Sequence, residues 1–159
     1  MMKRSEPNGE SLRLSNSPGL FGRPHLAVQV ERLQTELGEW LSEFEWSCWC
    51  TWTFDERFGP TGPSPDRCLV HTRRFIEQLS GPPVGYFVAV ERGAGGRVHS
   101  HGLLRFKDEW SPKRKSIWNA WHTRYGRSRI LPYDGDLGAA FYVAKYITKE
   151  PLGWDVGAL

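Results

Sequence analysis

Two strand-like segments joined by a glycine-rich turn constrain the fold of this chain most, because together they predict a β-hairpin. The first, VGYFVAVER, spans 84–92, and the second, RVHSHGLLRF, spans 97–106. Between them lies GAGG (93–96), whose glycines tolerate the backbone angles of a tight turn. Branched and aromatic residues dominate the first strand. The chain therefore contains a sheet, and an all-helical fold is excluded.

The segments around the hairpin predict the α+β class. EWSCWCTWTF (45–54) has the residues of a strand, and Ser64-Pro65 begins a helix that ends near Leu79. A second helix begins at Ser111-Pro112 and ends near Gly126, and RSRILPY (127–133) is a short strand. This order is that of a ferredoxin-like split βαβ sandwich, with a central antiparallel sheet and helices on one face.

Two more helices lie outside that plan. Residues 25–44 carry apolar side chains mostly at helical spacing, although Gly38 weakens this helix. The last helix runs through LGAAFYVAKYITK (137–149), with Asp134 or Asp136 as its N-cap, and Pro151 and Gly153 stop it. We expect the last helix to pack on the open face of the sheet.

The length of 159 residues suits one domain. Residues 1–24 are rich in Ser, Asn, Pro, Gly and charge, which predicts a disordered lead-in, so the domain is 25–159, with its core at 45–154. Three cysteines do not suggest a disulfide framework, and the start of the chain does not resemble a signal peptide. No apolar run approaches the roughly 20 residues of a membrane span. We expect an intracellular protein without a membrane partner.

The net charge of +3 is only mildly basic, but several clusters of basic residues lie in the C-terminal half. A phosphate backbone favours such a surface, while an ordinary solvated face is the plainer interpretation. The residues predicted to contact DNA are Arg97, Arg105, Lys113, Arg114, Lys115, Arg127 and Arg129.

His99 and His101 are two apart on a predicted strand, so their side chains project from one face. Glu91 lies on the partner strand and joins them if the hairpin register places it opposite His99. Two imidazoles and a carboxylate suit Mn²⁺ or Mg²⁺ and leave coordination positions open. Two unrelated histidines beside a surface carboxylate remain the alternative.

A zinc site is a competing interpretation, since Cys48 and Cys50 are also two apart and could join His99 and His101. However, the aromatic residues that share the parity of the cysteines predict a core face instead. Those residues are Trp46, Trp52 and Phe54.

Tyr142 and Tyr146 are four apart on the last helix and therefore lie on one face. Lys145 and Lys149 each follow a tyrosine by three positions. A phenol has a pKa near 10 and is therefore protonated at neutral pH, so it needs activation, for example by a nearby lysine ammonium, before it can attack a phosphate. Half-buried packing tyrosines on an amphipathic helix are the alternative.

Three motifs together resemble those of the HUH endonucleases, in particular the rolling-circle replication initiators (Rep proteins) of small phages, plasmids and circular single-stranded DNA viruses. They are TWTF (51–54), HSHGLL (99–104) and the doubled Tyr-x-x-Lys of YVAKYITK (142–149). The doubled motif is similar to that of the two-tyrosine initiators of microvirus-type phages. The resemblance covers about 45–154, and Ser100 departs from it, because the family prefers a bulky apolar residue there.

The resemblance implies metal-dependent, sequence-specific nicking and rejoining of single-stranded DNA through a 5′-phosphotyrosine link. Tyr146 is favoured over Tyr142 for the first attack, with Lys145 and Lys149 steadying the phosphate or phenolate. It also implies a DNA origin or hairpin, a helicase and a polymerase as partners in a bacterial cytoplasm, and no small-molecule cofactor. A small tyrosine transposase and a non-catalytic origin-binding module are the alternatives, and a mobilising relaxase is less favoured.

Overall fold

The computed structural model describes residues 24–107, 113–136, 138–150 and 152–158. Its elements are α1 (Pro24–Ser42), β1 (Cys48–Thr53), α2 (Pro65–Glu77), β2 (Gly85–Arg92), β3 (Val98–Arg105), α3 (Arg114–Arg124), β4 (Ser128–Pro132), α4 (Ala139–Lys149) and β5 (Trp154–Gly157). Within these residues the fold is α+β, with four α-helices and one antiparallel sheet of five strands.

The predicted lead-in (1–24) lies, apart from its last residue, outside the described residues. So do Ser111 and Pro112, where the α3 helix was predicted to begin, and Pro151, which was predicted to stop α4. None of the described helices is long and apolar enough to cross a membrane.

The sheet order is β4-β1-β3-β2-β5, with every neighbouring pair antiparallel. The strand and helix order predicted from residue 45 to β4 is confirmed, with ends that differ by a few residues. The predicted hairpin is β2 and β3, and its register sets Glu91 opposite His99. The central position of β3 is what brings hairpin residues next to residues of β1.

One face of the sheet packs against α2 and α3. Alternate residues of β1 point to this face, and Cys48, Cys50 and Trp52 are completely buried there. Helix α2 adds Phe75 and α3 adds Trp121 to the same cluster. The predicted aromatic core face is therefore confirmed for these residues.

Two tryptophans differ from their predicted places. Trp46 precedes β1 and packs in the cluster on the other face, beside Leu41 of α1. Trp118 was predicted as core together with Trp121, but its side chain is 40% exposed. Trp121 is completely buried against Trp52 and Phe75, whereas the Trp118 indole lies beside β4, where its Nε1–H donates to the Ser128 carbonyl.

The opposite face packs against α1 and α4, which confirms that the last helix covers the open face. Val143 of α4 and Leu41 of α1 are buried there against Phe87 and Leu103 of the sheet. The two helices approach closely at Gly38, where a side-chain carbon would collide with the Phe141 ring. The glycine that weakens α1 is thus required by packing.

The start of α4 differs from the prediction. Its N-cap is Gly138 in the left-handed conformation (φ 65°), so neither Asp134 nor Asp136 caps the helix. Instead, the Asp134 carboxylate accepts a hydrogen bond from the backbone N–H of Asp136 at 3.0 Å. This bond stabilises the turn before the helix.

Strand β5 was not predicted. Trp154–Gly157 pairs with β2 and forms one edge of the sheet, while β4 forms the other. The Trp154 ring stacks on Phe87 at 6.0 Å between ring centres, and Asp155 accepts a 3.3 Å hydrogen bond from the Tyr86 hydroxyl. These contacts fix the chain after α4 against the hairpin.

Candidate active site

The histidines lie side by side on the sheet face that α4 covers. His101 is only 6% exposed, and His99 is half-buried nearer the hairpin turn. Ser100 points to the other face, where its hydroxyl lies 2.8 Å from that of Thr72. Strand alternation therefore separates the histidines from the residue that departs from the family pattern.

Two threonines of β1 hold the imidazole rings. Thr53 Oγ1 lies 3.0 Å from His99 Nδ1, and Thr51 Oγ1 lies 3.2 Å from His101 Nδ1. The β1–β3 register sets each threonine opposite its histidine. Hydrogen bonds at Nδ1 fix the ring orientation, which is how ligating histidines are commonly held. The TWTF segment had been noted, but no role was predicted for its threonines.

Glu91 connects His101 to the tyrosine helix. Its Oε2 atom lies 3.1 Å from His101 Nε2, and its Oε1 atom lies 3.5 Å from the Lys149 ammonium. The carboxylate side chain is 18% exposed, so these contacts are only partly screened by water. A histidine, a carboxylate and a lysine from three elements thus meet at one point.

Burial keeps both imidazoles neutral. It lowers the pKa of His101 to about 3, and the neighbouring His99 adds to the effect. Burial also lowers the pKa of His99, which the charge of Glu91 partly opposes. A neutral ring keeps the lone pair that a metal ligand needs. The tautomer of neutral His101 with its proton on Nε2 can donate to Glu91, whereas metal binding through Nε2 would need the proton on Nδ1, beside Thr51 Oγ1.

Glu91, His99 and His101 have the mixed oxygen and nitrogen donors that suit Mn²⁺ or Mg²⁺. They share one face, but His99 Nε2 is directed towards Gly93, where an added side-chain carbon would lie 3.1 Å away. The described residues contain no converging group of three or more His, Cys, Asp or Glu side chains. The donor chemistry fits a divalent ion, and occupation by Mn²⁺ or Mg²⁺ stays a prediction.

The alternative of a closed zinc site is wrong. Cys48 and Cys50 are buried in the core under α2 and α3, whereas the histidines point to the other face. The two sulfur atoms lie 3.8 Å apart, and burial raises the pKa of Cys50 well above its usual value. These cysteines are packing residues.

Tyr146 lies directly on the histidine site. Its ring stacks on that of His101 with 4.1 Å between centres and 13° between planes, and it is 5% exposed. Burial raises its pKa well above the usual range, helped by the Tyr142 hydroxyl and the charge of Glu91. The phenol is therefore neutral at physiological pH and needs a nearby cation in order to lose its proton.

Tyr142 lies one turn earlier on α4 and is 46% exposed. Its ring meets Tyr146 edge-on at 4.9 Å and Trp49 edge-on at 5.5 Å. Lys145 is exposed on the same helix. The predicted pair of tyrosines thus consists of one buried ring at the histidines and one accessible ring beside it.

The residues predicted to contact DNA do not form one patch. Arg127 and Arg97 line a cavity of about 630 Å³ next to Thr53, together with Arg57, for which no role was predicted. The Arg97 guanidinium donates a 2.7 Å hydrogen bond to the Phe54 carbonyl, so it also holds the end of β1.

The others lie apart from that cavity. Arg114, Lys115 and Arg129 line a groove between α3 and β4. Lys113 lies over the Phe106 ring, 5.3 Å from its centre. Arg105 Nε is buried and has no hydrogen-bond partner among the described residues. The structure therefore brings together two groups of basic residues and leaves two residues outside them.

Comparison with known proteins gives one family. The family model of the replication-associated protein ORF2 matches residues 47–151, which include β1, the hairpin and the tyrosine helix. No significant match was found among curated proteins or among solved structures. The match confirms the resemblance that the three motifs indicated. The chain belongs to the replication-associated protein ORF2 family, which implies a role in initiating rolling-circle replication.

Proposed function

We propose that this protein nicks and rejoins single-stranded DNA at a replication origin, with a tyrosine of α4 as the nucleophile. The observation that carries the proposal is the stacking of Tyr146 on His101, 4.1 Å between ring centres, beside Glu91. A phenol, a pair of neutral imidazoles and a carboxylate form a set suited to phosphodiester transfer. Family membership supports the same conclusion.

Glu91, His99 and His101 are the residues that would hold Mn²⁺ or Mg²⁺. A bound divalent ion would supply charge that polarises a phosphate oxygen. The threonines of β1 orient the imidazoles, and burial under α4 limits access of water to His101. The chain thus supplies orientation and a low local dielectric, which strengthens every charge interaction at the phosphate.

The reaction exchanges one phosphodiester for another. The tyrosine oxygen bonds to phosphorus, and the bond from phosphorus to the 3′-oxygen breaks. The phenol loses a proton and the departing 3′-oxygen gains one, so no net proton is consumed. The Lys149 ammonium, 3.5 Å from Glu91, is close enough to the site to stabilise developing negative charge. A later 3′-hydroxyl reverses the step and reseals the strand.

The two tyrosines are suited to successive transfers. Tyr146 is in contact with the histidine site, so we retain it as the first nucleophile, and Tyr142 is exposed one turn away. While one tyrosine holds the 5′-phosphate of a cut strand, the other can cut a second site. The 3′-hydroxyl released there can then attack the first phosphotyrosine link and free that tyrosine. The half-exposed ring is the one that incoming DNA reaches without movement of α4.

A nicking assay tests this proposal. The protein is mixed with end-labelled single-stranded origin oligonucleotides and Mn²⁺ or EDTA, and the products are separated on a denaturing gel. We expect metal-dependent cleavage that His101→Ala abolishes. Tyr86→Phe is the matched control, because Tyr86 lies on the opposite face of the sheet and bonds to Asp155. DNA binding without cleavage in every metal would favour the non-catalytic binding module.

A further inference from the structure

Trp118 presents a fixed aromatic ring at the edge of the molecule. Its Nε1–H donates a 3.0 Å hydrogen bond to the Ser128 carbonyl, which orients the indole. One face of the ring stacks on His122, with 4.8 Å between centres and 13° between planes. The side chain is nevertheless 40% exposed. A held ring that stays partly exposed and lines a groove can act as a stacking platform, and stacking on it costs little side-chain entropy.

Cations surround this ring. Arg114 and Lys115 of α3 and Arg129 of β4 line the same groove as Trp118, which encloses about 540 Å³. Ser128 and Ile130 complete the lining, so no acidic side chain is among the lining residues. An aromatic platform beside three positive charges selects a ligand with both flat rings and negative charge.

The groove is close to the tyrosine site. Arg129 pairs with Thr51 across the β4–β1 ladder, and Thr51 pairs with His101 across the next ladder. Two strand spacings separate the backbones of Arg129 and His101, which is about 10 Å. The histidines point to the α4 face, whereas the groove opens beside α3 at the β4 edge, so a polynucleotide that contacts both has to pass round this edge of the sheet.

We propose that this groove is a second binding subsite for single-stranded DNA, in which an unpaired base stacks on Trp118 and Arg129 and Lys115 bind the adjoining phosphates. A single strand fits better than a duplex, because the faces of paired bases are covered by their neighbours. The inference deepens the proposed function, on which it rests for the identity of the ligand. The subsite would contact the DNA strand at a point away from the phosphate that is cleaved.

Fluorescence anisotropy in EDTA tests the subsite without cleavage. The probe is a labelled oligothymidylate of about 20 nucleotides, a length that exceeds one typical binding site. A matched oligonucleotide of the same length with abasic positions retains the phosphates and lacks bases for stacking. We expect Trp118→Ala to weaken binding of oligothymidylate roughly 5- to 100-fold and Trp118→Phe to weaken it less. Binding of the abasic oligonucleotide should change little.

Two variants serve as controls, one for the loss of an exposed apolar side chain and one for the loss of a positive charge, and Arg129→Ala tests the phosphate contacts. Leu33→Ala removes an exposed apolar side chain of α1 and should leave affinity within about two-fold. Arg129→Ala should reduce the salt dependence of binding by about 0.7 in the slope of log affinity against log salt concentration. Arg67→Ala, an exposed arginine on α2, should not change that slope.

The thermal midpoint of each variant shows whether it is folded. Unchanged affinity of a folded Trp118→Ala, or an equal loss with abasic DNA, would overturn the stacking proposal. Equal dependence on Trp118 for duplex DNA would overturn it as well. Because these assays need no cleavage, a Trp118 effect in a protein that never nicks DNA would refute the proposed function and leave the subsite intact.

Discussion

His101 should make the stability of the protein depend on pH. Its imidazole is 6% exposed, and its pKa is about 3 in the folded chain, whereas the usual pKa of a histidine in water is 6.5. Between these values the unfolded chain binds one more proton than the folded chain does. The free energy of unfolding must therefore fall as the pH falls through 6.5, and it is fully present only above that value.

The size of the effect follows from the same two values. One pH unit in this window corresponds to about 1.4 kcal/mol for one proton, so moving from pH 7 to pH 5 should remove about 2 kcal/mol. That is a large part of a typical domain stability of about 5–15 kcal/mol. The loss at pH 5 is dominated by titration of the unfolded chain.

Urea unfolding at pH 7 and pH 5, followed by tryptophan fluorescence in EDTA, measures this difference. Other groups also titrate over this range, so wild type is compared with His101→Gln, which keeps a polar side chain without the titration. We expect the pH-dependent loss to be smaller by about 2 kcal/mol in the variant. Equal losses in the two proteins would refute the assignment of a buried neutral His101.

Two other changes test the packing and the histidine site. Gly102→Ala should lower the free energy of unfolding by about 1–3 kcal/mol in urea titrations, because the new methyl would lie 2.5 Å from the buried Trp52 ring. Gly95→Ala, with no atom within 4 Å of that position, should have little effect. Thr53→Val removes the oxygen beside His99 Nδ1 and should raise the Mn²⁺ concentration for half-maximal nicking about 10- to 100-fold. An unchanged requirement would mean that Thr53 does not orient a metal ligand.

The period-two alternation of the strands made much of the site predictable. It placed His99 and His101 on one face of their strand and the cysteines on the aromatic face of theirs, and the glycine turn brought Glu91 within reach if the hairpin register set it opposite His99. The four-residue spacing of Tyr142 and Tyr146 likewise placed both tyrosines on one face of α4. These patterns are local, so they can be read without knowledge of the packing.

Contacts between segments that are distant in the sequence were harder to predict. The support of His99 by Thr53 depends on the β1–β3 register, which no local pattern specifies. Strand β5 has four residues, too few for a periodic signal beside Gly153. The exposure of Trp118 follows from the position of α3 at the sheet edge. A sequence pattern shows which side chains share a face, and packing decides whether the face is covered.

Two observations disagree on whether Tyr146 or Tyr142 attacks the DNA first. Contact with His101 favours Tyr146, and exposure favours Tyr142. If the two alternate, Tyr146→Phe should reduce nicking without abolishing it. Complete loss in that variant, with Tyr142→Phe fully active, would mean that there is a single nucleophile.

Identification of a covalent protein–DNA adduct tests the central claim most directly. The protein is incubated with single-stranded origin DNA and Mn²⁺, denatured, digested with nuclease and protease, and analysed by mass spectrometry. We expect a 5′-phosphonucleotide on the α4 peptide at Tyr146 or Tyr142, absent in EDTA and absent when both are phenylalanine. Cleaved DNA without any adduct, or an adduct on a residue outside α4, would contradict a tyrosine nucleophile on this helix.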